Sequence, residues 1–342
     1  MTKQSLTAAA AFSVLVGCAG NQQTMPLAGP QTPHESFAQQ GMRPPPLAAS
    51  LMSVISPPAA DLVIGAGQDN ATAAGGLYVA QYKINLVNEY ALPDTKNDPP
   101  KCVDAVPGPE GYVNGVGVNA QHVLYVPGFY AGKAQVLTFA ANCGSAGPTL
   151  NDPNGFTVDV AFDNAKGTVY VADPSTNGID AYAKGATSPT RTLSSSVIQR
   201  PYGVAVDRVG NVFLSGTTSS NVVEFPKGHQ KGSRVLGLTG LKFPVGLEFD
   251  LKNNLIVIDD SAGILIYAPP YSGAPNHTFA TKGTADYGKL DAANHNFYVN
   301  NLSNGSADVY AYPSGKYRYS ITNGLSVNNT VTGIAVDPPS PN

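Results

Sequence analysis

At 342 residues the chain is long enough for two domains of ordinary size, yet an all-β closed ring can absorb most of it, residues 60–342, as one. Charged residues make up 13%, about half the usual share of roughly 25%, while Gly (36) and Pro (28) are abundant, a balance that suits many short strands joined by turns. The net charge of −3 and pI near 5.9, with no basic run, give no electrostatic reason to expect nucleic acid as a partner.

Residues 1–18 have the form of a targeting segment. Lys3 is its only charge, Leu6 to Val16 is an apolar and small-residue run too short to span a bilayer, and the segment ends on Leu15-Val16-Gly17-Cys18. These four residues resemble a bacterial lipobox. The resemblance implies acylation of Cys18, a lipid anchor holding the protein in the cell envelope and, because Ala19 follows the cysteine, an outer-membrane or cell-surface location. An ordinary signal peptide that happens to contain a cysteine is the alternative. Residues 19–59 are rich in Gln, Pro, Ala and Ser, with Pro44-Pro45-Pro46 and Pro57-Pro58, and read as a flexible tether. His34 falls within it.

From residue 60 to 342 the chain repeats itself. Its clearest copy runs from Pro201 to Gly216: Val204 to Val206 is an apolar strand, Asp207 can hydrogen-bond its own following backbone, Gly210-Asn211 suits a tight turn, and Val212 to Leu214 returns. Asn221 to Phe225 is a third strand, and Arg234 to Leu236 a short outer one. With the residue that ends the first strand as marker, Asn119, Asp163, Asp207, Asp250, Asp291 and Asp337 recur 41 to 46 residues apart, the length of a four-stranded blade. Six copies predict an all-β fold, a six-bladed β-propeller of antiparallel four-stranded blades. In the second copy Pro153 to Asp159 also fits the template, four residues ahead of the marker, so the local register there is ambiguous.

The last marker has only five residues after it, so its blade lacks three strands. The N-terminal part of the ring supplies them: Leu62 to Gly65 is expected as the second strand, Gly76 to Tyr82 as the third and Asn88 to Leu92 as the fourth. Strands from both termini then close the ring and leave no open sheet edge.

Cys102 and Cys143 are the remaining cysteines. In an exported chain two thiols are expected to pair, here across neighbouring blades, with Cys102 in a long link after the first blade's outer strand and Cys143 after a third strand. No CxxC spacing or nearby His suggests a metal at this pair.

Catalytic signatures are sparse. There is no GxSxG, HExxH, P-loop or strand-borne GxGxxG, and His122, His229, His277 and His295 all fall in turns or on outer strands. One column stands apart. Two residues before each marker stand Gly117, Ala161, Ala205, Glu248, Lys289 and Ala335, positions expected to line the central channel. Four small residues fit crowding at the axis, and Glu248 with Lys289 is expected either as a self-satisfying ion pair or as the polar feature offered to an axial ligand. Asn114, Asn154 and Tyr202, just before inner strands, are candidates for the channel mouth, with turn chemistry as the plainer explanation.

The pattern Pro-x-Gly-apolar-Ala-Val-Asp with a Gly-Asn turn, carried by Pro201 to Gly216, resembles the NHL family of propellers. Pro244 to Asp250 and Thr332 to Asp337 match it in part, and Tyr287 to Asp291 scarcely. The resemblance implies the propeller fold and leaves activity open, since such rings serve as binding platforms, scaffolds and enzymes. Two functions are expected on this basis. The first is a lipid-anchored envelope propeller that binds a protein, glycan or small ligand, needing no cofactor and performing no chemistry. The second resembles gluconolactonase-like propellers, in which an axial Ca²⁺ or other divalent cation polarises a lactone or ester carbonyl. Glu248, with Asn114, Asn154 or Asp159, would have to hold that cation, and Lys289 beside Glu248 would oppose it, so the weight falls on binding.

Overall fold

A computed structural model describes residues 75–106, 112–152, 155–230, 234–325 and 331–341. Cys18, the tether, Leu62 to Gly65 and Asn154 lie outside the described residues. The rest is a propeller of six antiparallel blades, with one short parallel pair, Gly237–Leu238 and Ser272–Gly273, outside them, and among the described residues no helix is long and apolar enough to cross a membrane.

Blade 1 is closed by both ends of the chain. Its inner strand is Val331–Asp337, followed outward by Gly76–Gln81, Leu86–Ala91 and Cys102–Ala105. Tyr78 stands opposite Ala335 on one side and Glu89 on the other. This corrects the expected assignment by one strand: Gly76–Gln81 is the second strand, not the third, and Leu86–Ala91 the third, not the fourth. The outer strand was misread as a link because Cys102-Val103-Asp104-Ala105 carries little β-pattern and follows a Pro-rich stretch, and none of its four residues is buried.

Blade 2 has an inner edge of two pieces, Tyr112–Val113 and Gly117–Val118, then Val123–Tyr130, Lys133–Ala140 and Leu150–Asp152. Blade 3 comprises Asp159–Asp163, Thr168–Asp173, Gly178–Tyr182 and Arg191–Ser194. Blade 4 comprises Pro201–Val206, Val212–Gly216, Asn221–Phe225 and Arg234–Val235, and blade 5 Pro244–Phe249, Leu255–Asp259, Gly263–Tyr267 and His277–Phe279. Blade 6 comprises Gly288–Leu290, Asn296–Asn301, Ser306–Ala311 and Lys316–Ile321.

Five of the markers, Asn119, Asp163, Asp207, Asp250 and Asp291, act through turn hydrogen bonds. Asp207 Oδ1 accepts the N–H groups of Val209 (3.0 Å) and Asn211 (2.8 Å), and Asp250 Oδ1 those of Lys252 (2.9 Å) and Asn254 (2.7 Å). Asp163 does the same for Lys166 at 3.1 Å, which settles the register of blade 3 in favour of Asp163 and leaves Asp159 inside the ring. Between blades the sheets pack through buried aliphatic and aromatic side chains. Phe213, Phe249 and Tyr271 meet edge to face with centroids 4.9 to 6.0 Å apart, the arrangement ring quadrupoles favour.

Cys102 and Cys143 form a disulfide that ties the outer strand of blade 1 to the turn after the third strand of blade 2, 41 residues on. Cys102 lies on a strand of its blade and not in a link beyond it, the same one-strand correction. The bridge reinforces the seam next to the closure blade, and Glu89 Oε2 accepts the N–H of Cys143 there at 2.8 Å.

Candidate functional site

The inner strands all run in one direction, so residues at equal distances from the markers form layers around the axis. Gly117, Ala161, Ala205, Glu248, Lys289 and Ala335 line one axial cavity of about 60 Å³, at the end where the inner strands finish. Pro339 and Ser340 of the C-terminal tail lie at its edge, where Ser340 Oγ accepts from Asn294 Nδ2 at 2.9 Å. Such a volume holds a few waters at most, far below the roughly 300–1,000 Å³ of a ligand pocket. Inside it Lys289 Nζ stands 3.0 Å from Glu248 Oε2, and both side chains are largely buried. Glu248 Oε1 also accepts the N–H of Phe249 at 3.2 Å.

A second layer lies four residues before the markers: Gly115, Asp159, Gly203, Gly246, Tyr287 and Gly333. Here the inner strands crowd. A Cβ at Gly115 would stand 2.7 Å from Asp159 Oδ1 and 2.9 Å from Tyr287 Cε1, and one at Gly203 or Gly333 would collide with the backbone of the next blade. The glycines leave room for one large side chain, and Tyr287 of blade 6 fills it. Its hydroxyl donates to the carbonyl of Val158 in blade 3, the opposite blade, at 3.1 Å. Tyr287 is 3% exposed and plugs the axis.

Asp159 sits against this plug. One oxygen, Oδ2, accepts the N–H of Val204 at 3.0 Å, while Oδ1 is buried and accepts no hydrogen bond among the described residues. Burial pushes its carboxyl up to about 6, against the lowering effect of the Lys289 ammonium. Burial works to lower Lys289, but the Glu248 and Asp159 carboxylates outweigh it and hold the ammonium above its ordinary value. The axis therefore holds one cation between two carboxylates, with no histidine lining the cavity among the described residues.

Beyond the plug, at the end where the inner strands begin, the mouth is aromatic. Tyr202 is buried, its phenol raised by burial and by Asp286. Asn114 is buried at the same level, its N–H donating to the Pro127 carbonyl at 3.2 Å. Tyr112 is ringed by Tyr82 (5.6 Å), Phe129 (5.8 Å) and Phe156 (5.0 Å), all three half-buried, and Ile84 beside them is 45% exposed.

Glu248 and Lys289 thus meet, whereas Asn114 and Tyr202 lie on the far side of Tyr287 from them. Of the described histidines, His122 Nδ1 is 2.6 Å from Asp337 Oδ1 in a turn, and His277 lies on an outer strand. Sequence reasoning missed Tyr287 as the plug. The signal was present as four glycines in one column, broken only by Asp159 and Tyr287.

A family model for the beta-propeller repeat (SBBP) matches residues 194–222, the copy with the clearest pattern. A chain from the crystal structure of a nidogen/laminin complex superposes with a TM-score of 0.61 at 17% identity, covering 77% of this chain and 98% of that one. A functionally unknown protein from Desulfotomaculum acetoxidans DSM 771 superposes with a TM-score of 0.54 at 12% identity, covering 78% and 86%. At such identities the likeness shows the fold alone. No curated protein matches the sequence.

Proposed function

We propose that this chain is an envelope propeller, anchored through Cys18, that binds a protein or glycan on the ring face where the inner strands begin. The observation that carries the reading is the closed axis: Tyr287 spans it, and Lys289 neutralises Glu248 in a cavity of about 60 Å³. A small ligand has no room there, and an ammonium 3.0 Å from the best candidate ligand opposes the axial cation a lactonase would need. Support passes instead to the aromatic mouth. Half-buried Tyr82, Phe129 and Phe156 offer flat apolar area at low conformational cost, the kind of surface that stacks on sugar rings or on a partner's side chains.

A photocrosslinking residue at Ile84, on that face, and at Val209, 60% exposed in a turn at the opposite end of the ring, tests this in the native host. A discrete adduct from residue 84 and none from residue 209 is expected. Adducts from residue 209 alone, or equal diffuse labelling from both, would overturn it.

A further inference from the structure

At the seam of blades 2 and 3, on the face where the inner strands finish, lies a cavity of about 390 Å³. That volume falls in the range of small-molecule pockets, roughly 300–1,000 Å³. Two aromatic rings line it, Tyr125 from blade 2 and Phe162 from blade 3, with centroids 4.9 Å apart and planes inclined by 56°. Val123, Leu150 and Val169 add aliphatic surface. The charged residues of the lining are Asp163, Lys166 and Lys184, one positive charge in excess.

The neighbouring blade explains why the space is open. Tyr125 faces Gly117 on the inner strand and Thr138 on the third, and Tyr170 of blade 3 faces Ala161 and Ala181 in the same register. In blade 3 the outer strand places Arg191 opposite Ala181. Its guanidinium donates to the Tyr170 hydroxyl at 3.0 Å and lies 6.0 Å from the ring centroid. In blade 2 the outer strand begins only at Leu150, and Thr138 Oγ1 donates to the carbonyl of Pro148 at 2.7 Å. A proline thus stands where blade 3 has its arginine. Blade 4 keeps an arginine at that place, Arg234 opposite Glu224, and blade 6 a tyrosine, Tyr319 opposite Val309. Proline is too short to cover Tyr125 and has no donor to offer it.

Two groups remain for a ligand. The Tyr125 hydroxyl accepts from Asn119 Nδ2 at 3.4 Å, and its own proton, kept in place because burial raises the phenol, has no acceptor among the described residues. Lys166 Nζ stands 3.9 Å from Asp163 Oδ2, whereas Lys184 forms no ion pair among the described residues. The Lys184 stem lies across Gly167, where an added Cβ would stand 3.2 Å from its Cγ and Cδ. The amide oxygens that sugar hydroxyls would seek are already engaged: Asn119 Oδ1 accepts the N–H groups of Gln121 and Val123, and Asn164 Oδ1 that of Ala120. A flat apolar body with one anionic end suits this lining better than a densely hydroxylated one.

We propose that this cavity binds a small aromatic carboxylate, its ring packed against Tyr125 and Phe162 and its anionic end held by Lys184. The site is separate from the aromatic mouth, which lies at the opposite end of the ring.

Benzoate is the probe, added to the purified full chain and followed by saturation-transfer NMR and calorimetry. Transfer to the benzoate ring protons is expected, with a Kd in the millimolar range or tighter, and binding about tenfold weaker or worse for benzamide, which lacks the charge. Lys184 is exposed, and Lys184→Met keeps a stem over Gly167, so this variant should fold normally and hold benzoate no better than the wild type holds benzamide. Pro148→Arg recreates the blade 3 arrangement and should abolish binding with an unfolding midpoint equal to or above that of the wild type. Absence of transfer at millimolar benzoate, equal affinity for benzoate and benzamide, or undiminished binding by Lys184→Met would refute the site. Binding of glucuronate in preference to benzoate would overturn it too, because the cavity would then select hydroxyls over an aromatic body.

Discussion

Asp159→Asn is expected to stabilise the ring at neutral pH and to leave it unchanged in acid. The Asp159 carboxyl has an ordinary value of 3.8 and is held at about 6 in the folded ring, chiefly by burial. Below about pH 3.8 it is protonated in both the folded and unfolded chain and costs nothing. As pH rises towards 6 the unfolded chain ionises first, so this group withdraws stability through that window, by about 3 kcal/mol once both states are ionised. Asparagine keeps an oxygen for the Val204 N–H and removes the titration. Lys289 loses one of its two carboxylates but keeps Glu248 at 3.0 Å, so a net gain of about 1–3 kcal/mol at pH 7 is expected, shrinking towards zero near pH 4. Urea unfolding of wild type and variant from pH 4 to 8, followed by circular dichroism, measures the difference directly. The comparison cancels the contributions of Asp104, Glu89 and Asp180, whose carboxyls burial also raises. Parallel stability curves across pH 4 to 6.5 would refute burial beside the plug as the cause of the raised Asp159 carboxyl.

Lys289→Met should cost about 3–5 kcal/mol by leaving Glu248 buried without its counter-charge, and adding Glu248→Leu should recover most of it; denaturant midpoints of the single and double variants check this. Cys102→Ser with Cys143→Ser should cost about 4 kcal/mol on the chain-entropy estimate for a loop of this length, seen as a lowered midpoint that reductant no longer affects. Deleting residues 331–342 removes the inner strand of blade 1, exposing the edge of Gly76–Gln81. The product should lose its cooperative transition and associate, as sedimentation velocity would show.

How far the molecule was legible varies from element to element. The marker residues made blade number and turn positions readable, because the same Asx hydrogen bonds are repeated at a fixed period. Glu248 and Lys289 were legible for the same reason, as charged exceptions in a column of small residues. The closure was misassigned by one strand because Cys102-Val103-Asp104-Ala105 pairs along one edge only and is not buried, so burial imposed no period on its sequence. Tyr287 was passed over because its segment departs most from the repeat pattern, and that departure is the plug itself.

The central claim is that the ring works through the aromatic face and not through its axis. Crosslinking yield from residue 84, measured in Tyr82→Ala/Phe156→Ala and in Lys289→Met/Glu248→Leu, compares the two directly. The account predicts that the face variant loses the adduct while the axis variant, with Tyr287 still in place, keeps it. Loss of the adduct in the axis variant with retention in the face variant would contradict it.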